Sequence, residues 1–319
     1  MTGERFDGWI PIRIYWRAGE PIVEWCYLGG TPLADPFLVA SIQKTLNTPF
    51  GSLFRRHTRM SDLQRWRELS PGLPPAGFIF HSSRCGSTLI TRMLAQLSEN
   101  LVLSEPESVS AIVYSQLRAP RASPEQRVEW LRNIVSALGQ RRGGERRLFV
   151  KVEPRDIFML PLFRVAYPEV PWLFVYRDPI EVLVSNLQQP PAYLAGGLPP
   201  AAGVDLSGAR EPDEYVAATL GALMERALAA FPDPRGMLVH YRELPDAVWG
   251  SVARHFGLTF TPAQIAAFRE SARFDAKRPD RPFAPDGERK RAEASPRALA
   301  LAGRWIEPHF ARLEAFRVL

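Results

Sequence analysis

Residues 77–258 repeat one pattern: a short apolar run, a turn of small or charged residues, then a stretch with helical spacing. The apolar runs fall at 77–80, 101–103, 148–150, 172–175 and 236–240. Each is too short for a buried helix and lacks polar alternation, so each reads as a strand covered on both faces. Four or five such strands, separated by helices, predict an α/β fold built on a parallel sheet of about five strands with helices on both sides. The helices are expected at 88–97, at 124 to about 142 (capped by Ser123, stopped by Gly143 and Gly144), at about 245–256 and at 299–316.

The first 75 residues have a different texture. Ile10, Ile12, Ile14 and Trp16 alternate with Pro11, Arg13 and Tyr15, and a turn-like 18–21 leads to a second strand-like run at 22–28, which together read as a β-hairpin. Asp35 and Pro36 then look like the cap and first residue of a helix running to about Leu46. A Pro-rich hinge at 71–75 separates this extension, 1–75, from an α/β domain at 76–319. The stretches 190–212 and 277–297, rich in Pro with Gly and Ala or with Arg and Lys, read as mobile surface loops or lids.

Composition narrows the function class. No stretch approaches the roughly 18 uninterrupted apolar residues of a membrane span, and residues 1–7 lack a basic start followed by an apolar run. Two cysteines, Cys26 and Cys85, supply neither a disulfide framework nor a four-thiolate zinc site. The expectation is a soluble, cytoplasmic protein without a metal. The net charge of +6 favours an anionic partner weakly. Lysine occurs only at Lys44, Lys151, Lys277 and Lys290 against an arginine-rich background, and a compact flexible cation kept there draws attention.

In parallel sheets ligands gather beyond the carboxyl ends of the strands. After the first strand come His81, Ser82, Ser83, Arg84, Cys85, Gly86, Ser87 and Thr88, then a helix. Small residues at a strand-to-helix turn leave backbone N–H groups open, and the helix N-terminus adds partial positive charge: an anion cradle. A nucleotide-hydrolysing loop needs Gly-x-x-x-x-Gly-Lys; with Gly86 as the second glycine, the first falls on His81 and the lysine on Ser87. A cysteine phosphatase needs Arg six residues after Cys85, where Thr91 stands. Cys85 therefore reads as a small buried loop residue. The other strand ends bring Glu105, Lys151 with Glu153, and Arg177-Asp178 with Ser185 eight residues after the arginine. Four ionic strand ends, the cradle's own included, make a site.

These residues resemble the sulfotransferases that use 3′-phosphoadenosine 5′-phosphosulfate (PAPS). The resemblance rests on the loop Arg84-Cys85-Gly86-Ser87-Thr88, on Arg177-Asp178 with Ser185, and on 239–244 ahead of Phe256-Gly257-Leu258, and it covers about 77–258. It implies a P-loop-type sheet. It also implies that Ser83 and Arg84 through Thr88 hold the 5′-phosphosulfate, that Arg177 and Ser185 hold the 3′-phosphate, and that Lys151 adds a second cation. Lys277 and Lys290, in the basic C-terminal segment, would close over the 3′-phosphate. For the general base the resemblance points first to Glu105, 21 residues after Arg84 on a strand expected beside the first, and second to Glu153. The acceptor would be a hydroxyl on a small molecule, peptide or sugar, with no nucleic acid required. Oligomeric state is open. A P-loop kinase, with Asp178 as its metal-holding acid, and a non-catalytic nucleotide-binding or assembly protein are the alternatives.

Overall fold

The computed structural model describes residues 6, 8–31, 33, 35–195 and 197–318; most of the opening segment read against a secretory signal lies outside them. Among the described residues, eight strands form two sheets: β1 (Trp9–Arg17), β2 (Glu20–Tyr27) and β3 (Arg56–Arg59) in one, and β4 (Pro75–His81), β5 (Asn100–Ser104), β6 (Arg147–Lys151), β7 (Trp172–Tyr176) and β8 (Gly236–His240) in the other. The second is the expected five-stranded parallel sheet flanked by helices, in the order β5-β6-β4-β7-β8. One expectation fails here: β5 does not lie beside β4, because β6 occupies that place. Sequence neighbours pair when the connection is short, whereas a helical crossover is long enough to skip a position.

The chain divides into two compact units: 1–78 with 94–152 and 159–170, and 79–93 with 153–158 and 171–319. The first holds the hairpin. β1 and β2 pair antiparallel around Ala18 and Gly19, both at positive φ (49° and 80°), the primed turn that matches strand twist and that glycine accepts without strain. The register slips between Pro11 and Arg13, where proline has no N–H to give the ladder. β3 was not foreseen: Arg56, His57, Thr58 and Arg59 carry no hydrophobic alternation, yet they pair with 22–25 as an edge strand.

Helix Pro124–Leu138 of this unit starts as expected, the Ser123 hydroxyl accepting from the Gln126 N–H, and buries Val128, Leu131, Ile134, Val135 and Leu138 along one face. It stops four residues early, at Gly139, whose carbonyl accepts the Leu73 N–H at 2.8 Å. The Ser136 hydroxyl accepts the Gly72 N–H, so the Pro-rich 71–75 stretch is tied to this helix. The helix expected from Asp35 begins instead at Leu38, because the Asp35 carboxylate is engaged by the Ser41 hydroxyl (2.8 Å) and the Lys44 ammonium (2.5 Å) rather than by a first-turn N–H.

In the second unit β7 is wholly buried and pairs in parallel register with β8. The expected helix at 245–256 is broken into a short 3-10 turn, Asp246–Val248, and a helix, Ser251–His255. The C-terminal helix is two, Pro296–Trp305 and Glu307–Val318. The segments expected as mobile loops carry local structure: Ala192–Ala195 and Pro200–Ala202 in one, helix Gly287–Ala292 in the other. Among the described residues, no helix is long and apolar enough to cross a membrane.

Candidate functional site

β4 ends at His81, and the chain turns through Ser82 to Gly86 into helix Ser87–Ala95. Within that turn Ser83, Arg84 and Gly86 all have positive φ (66°, 49° and 86°). For Ser83 and Arg84 this costs on the order of 1–2 kcal/mol each, a conformation kept only where surrounding contacts impose it. Those contacts are visible. The Ser82 N–H donates to the Val175 carbonyl (2.9 Å), the Ser83 N–H to His81 Nδ1 (3.2 Å), and the Ser83 hydroxyl to Asn186 Oδ1 (3.1 Å). Left-handed residues in a turn are one way that backbones build anion-binding concavities, and the first N–H groups of the helix lack intrahelical acceptors. Ser83, Cys85, Ser87 and Thr88 are buried, and Cys85 is a packed side chain outside any disulfide, as its size predicted. A Cβ on Gly86 would meet the Tyr241 ring at 2.8 Å and Leu244 at 2.9 Å, so both its φ and its lack of side chain are required. Arg84 reaches the Gln189 carbonyl at 2.9 Å.

Arg177, the residue after β7, is buried in an ionic cluster that the sequence did not anticipate. Its Nε meets Glu181 at 2.5 Å, its terminal nitrogen meets Asp286 at 2.7 Å, and its guanidinium lies 4.0 Å from the Tyr241 ring centroid. Asp286 also pairs with Lys290 (2.6 Å), while Arg291 pairs with Glu181 (2.6 Å) and Asp178 (3.1 Å). Burial raises the Asp286 carboxyl, but Lys290 and Arg177 overcome this and hold it below the usual range. Burial lowers the Lys290 ammonium. Three acids and three bases thus join the helix Gly287–Ala292 to the helix Pro179–Gln188. The Arg177-to-Glu181 pair had a legible signal, the four-residue spacing of a helical ion pair.

Asp178 caps the latter helix, its carboxylate accepting the N–H groups of Ile180 and Glu181, and is thereby occupied in a structural role. Ser185 stands two turns further on, half-buried, next to Asn186. Lys277 lies in an exposed turn in which the Asp275 carboxylate accepts its backbone N–H (2.8 Å). Glu153 receives Arg155 (2.8 Å) at the start of a 3-10 helix.

The first unit holds the other two chemistry-bearing strand ends. The Ser104↔Lys151 register of β5 and β6 carries Glu105 to the end of β6, where the Lys151 ammonium meets its carboxylate at 2.5 Å and its N–H donates to the Lys151 carbonyl. Lys151 is 1% exposed and lies 4.7 Å from the Phe37 ring; Glu105 is 24% exposed with φ 55°. A non-glycine residue at positive φ persists only where its surroundings hold it, and the pairing with Lys151 is such a contact. Among the described residues, no three His, Cys, Asp or Glu side chains gather as a metal site.

A strand–loop–helix turn on a five-stranded parallel sheet flanked by helices is the α/β class that this fold defines. No family model matches the chain, and no curated protein does. Solved structures to which it is similar include sulfotransferases. One is from Alicyclobacillus acidocaldarius (17% identity, 76% of this chain and 96% of that one, TM-score 0.43). Another is from Mycobacterium tuberculosis (16%, 79% and 81%, TM-score 0.44). A third is retinol dehydratase, solved in complex with androsterone and the inactive cofactor PAP (16%, 82% and 88%, TM-score 0.37).

Proposed function

We propose that the chain transfers a sulfuryl group from PAPS to an acceptor hydroxyl. The observation that carries this reading is the loop Ser83–Arg84–Cys85–Gly86, bent by three positive-φ residues into an N–H cradle that lacks the lysine of nucleotide hydrolysis. Its donor set fits an anionic phosphosulfate: backbone N–H groups, the Ser87 and Thr88 hydroxyls and Arg84. Arg177 and Ser185 belong to the same unit and are assigned to the 3′-phosphate, Arg177 exchanging the Asp286 carboxylate for it. Lys290 is released by the same exchange and, with Lys277, completes the anion's partners. PAPS supplies the activated sulfuryl group. Glu105 takes the proton of the attacking hydroxyl, and Lys151 fixes the orientation of its carboxylate. Glu153, engaged by Arg155, ranks second as base. Arg84 and the loop N–H groups stabilise charge on the leaving 5′-phosphate without a metal.

Calorimetry with PAPS, its desulfated product and ATP tests the donor assignment. Arg84→Ala, Arg177→Ala and Ser185→Ala should each weaken product binding by about ten- to a hundredfold. Wild-type affinity in all three, or ATP bound as tightly as PAPS, sinks it. Glu105→Gln should keep donor affinity and lose turnover by about 10²–10⁴-fold; a more severe loss in Glu153→Gln would move the base to the end of β6.

A further inference from the structure

The first unit carries a feature that sulfuryl transfer does not use. From Pro36 to Ser61 the chain contains no acidic residue, while it contains Lys44, Arg55, Arg56 and Arg59. Within this stretch the short helix Pro49–Leu53 and the residue after it display large apolar side chains outward: Phe50 is 48% exposed, Leu53 77% and Phe54 57%. Phe50 and Phe54 stack on each other with centroids 4.7 Å apart, and Tyr27, itself partly exposed, meets Phe50 edge-on at 5.7 Å. Gly51 seats this helix against the preceding one, since a Cβ there would lie 2.1 Å from the Thr45 carbonyl oxygen. The apolar face is therefore held outward by packing behind it.

Cations border the face. Arg55 is neutralised by the buried Glu24 at 2.5 Å. Arg56 lies over the Trp9 ring at 4.7 Å, which leaves its charge intact, and Arg59 and His57 are exposed on the edge strand β3. The acid next to Arg59, Asp62, accepts the Arg59 backbone N–H rather than its guanidinium. Clustered exposed aromatics mark an interaction surface. These project from one turn of helix instead of lining a groove, which suits a soft apolar phase more than a shaped partner, and the uncompensated arginines call for negative charge beside that phase.

We propose that Phe50, Leu53 and Phe54, flanked by Arg56 and Arg59, dock the protein on an anionic lipid surface, the side chains entering the headgroup boundary. The test is flotation of the full chain with phosphatidylcholine vesicles and with vesicles containing 30% phosphatidylglycerol (roughly the anionic content of a cell membrane), at low and high salt. Two uncompensated arginines predict a preference for the anionic vesicles on the order of thirtyfold, most of it lost at high salt. Leu53→Asp should lower binding at least tenfold without shifting the thermal transition, because its side chain is 77% exposed, and Phe54→Asp should lower binding as far. Arg56→Glu with Arg59→Glu should remove the anionic preference. Equal binding to both vesicle types, undiminished binding of Leu53→Asp, or concentration-dependent dimerisation that Leu53→Asp abolishes would overturn the proposal, the last in favour of a second copy of the chain. The readout needs no sulfuryl donor, so it stands apart from the catalytic reading.

Discussion

Glu105→Gln is expected to destabilise the protein more than Lys151→Met, although the two residues form one ion pair. The asymmetry follows from burial. With Lys151 gone, the Glu105 carboxylate, 24% exposed, still reaches water; with the carboxylate gone, an ammonium that is 1% exposed stays in the interior. Breaking a buried pair by removing one partner costs about 3–5 kcal/mol. The exposure of Glu105, the Phe37 ring 4.7 Å from the ammonium and the amide oxygen that Gln retains bring this to about 2 kcal/mol for Glu105→Gln. Lys151→Met keeps the packed stem and should cost about 1 kcal/mol. The double variant removes both charges and should lie close to Lys151→Met alone, a coupling of about 2 kcal/mol. Urea unfolding of the four proteins, followed by tryptophan fluorescence, measures each value. Lys151→Met as costly as Glu105→Gln, or a coupling below about 0.5 kcal/mol, would refute the reasoning from burial.

Gly86→Ala should lower stability by about 1–3 kcal/mol and weaken binding of the desulfated product, because the new Cβ needs a strained φ and meets Tyr241 and Leu244; thermal unfolding with calorimetry reads both. Asp286→Asn should tighten that binding at least tenfold by freeing Arg177 and Lys290 from a competing carboxylate; unchanged or weaker affinity would show that Asp286 does not compete. Protection of 277–291 from proteolysis by the 3′,5′-bisphosphate, but not by the analogue lacking the 3′-phosphate, would assign Lys277 and Lys290 to the donor. Burial lowers both His240 and His255 below the ordinary imidazole value. Below about pH 6.5 the unfolded chain therefore takes up protons that the folded one refuses. Stability present above that pH should fall as the pH drops toward the folded values, and urea midpoints at pH 7.5 and 5.5 should show a smaller loss in a His240→Gln variant.

The five sheet strands were legible because each is a short apolar run ended by charged or small residues, a pattern that burial on both faces dictates. Their order was not, since nothing in the run at 148–150 says that it inserts between its two predecessors. β3 was invisible because an edge strand facing water needs no alternation. At the candidate site, the loop and the strand-end ions could be read from residue types and spacing. The partners of those ions could not. Glu105 and Lys151 meet through a parallel register 46 residues apart in sequence, and Arg177 meets Asp286 across 109. Asn186, which holds Ser83, had no signal beyond its place beside Ser185.

The scarcity of lysine has a consequence for labelling chemistry. Lys151 and Lys290 are buried and acid-paired, so the side-chain amines open to an acylating reagent are those of Lys44 and Lys277. Lys290 is masked only while the helix Gly287–Ala292 stays docked. Its acylation rate is thus a built-in clock for the opening of the C-terminal segment, readable in the unmodified chain by mass spectrometry against Lys44 as the internal standard.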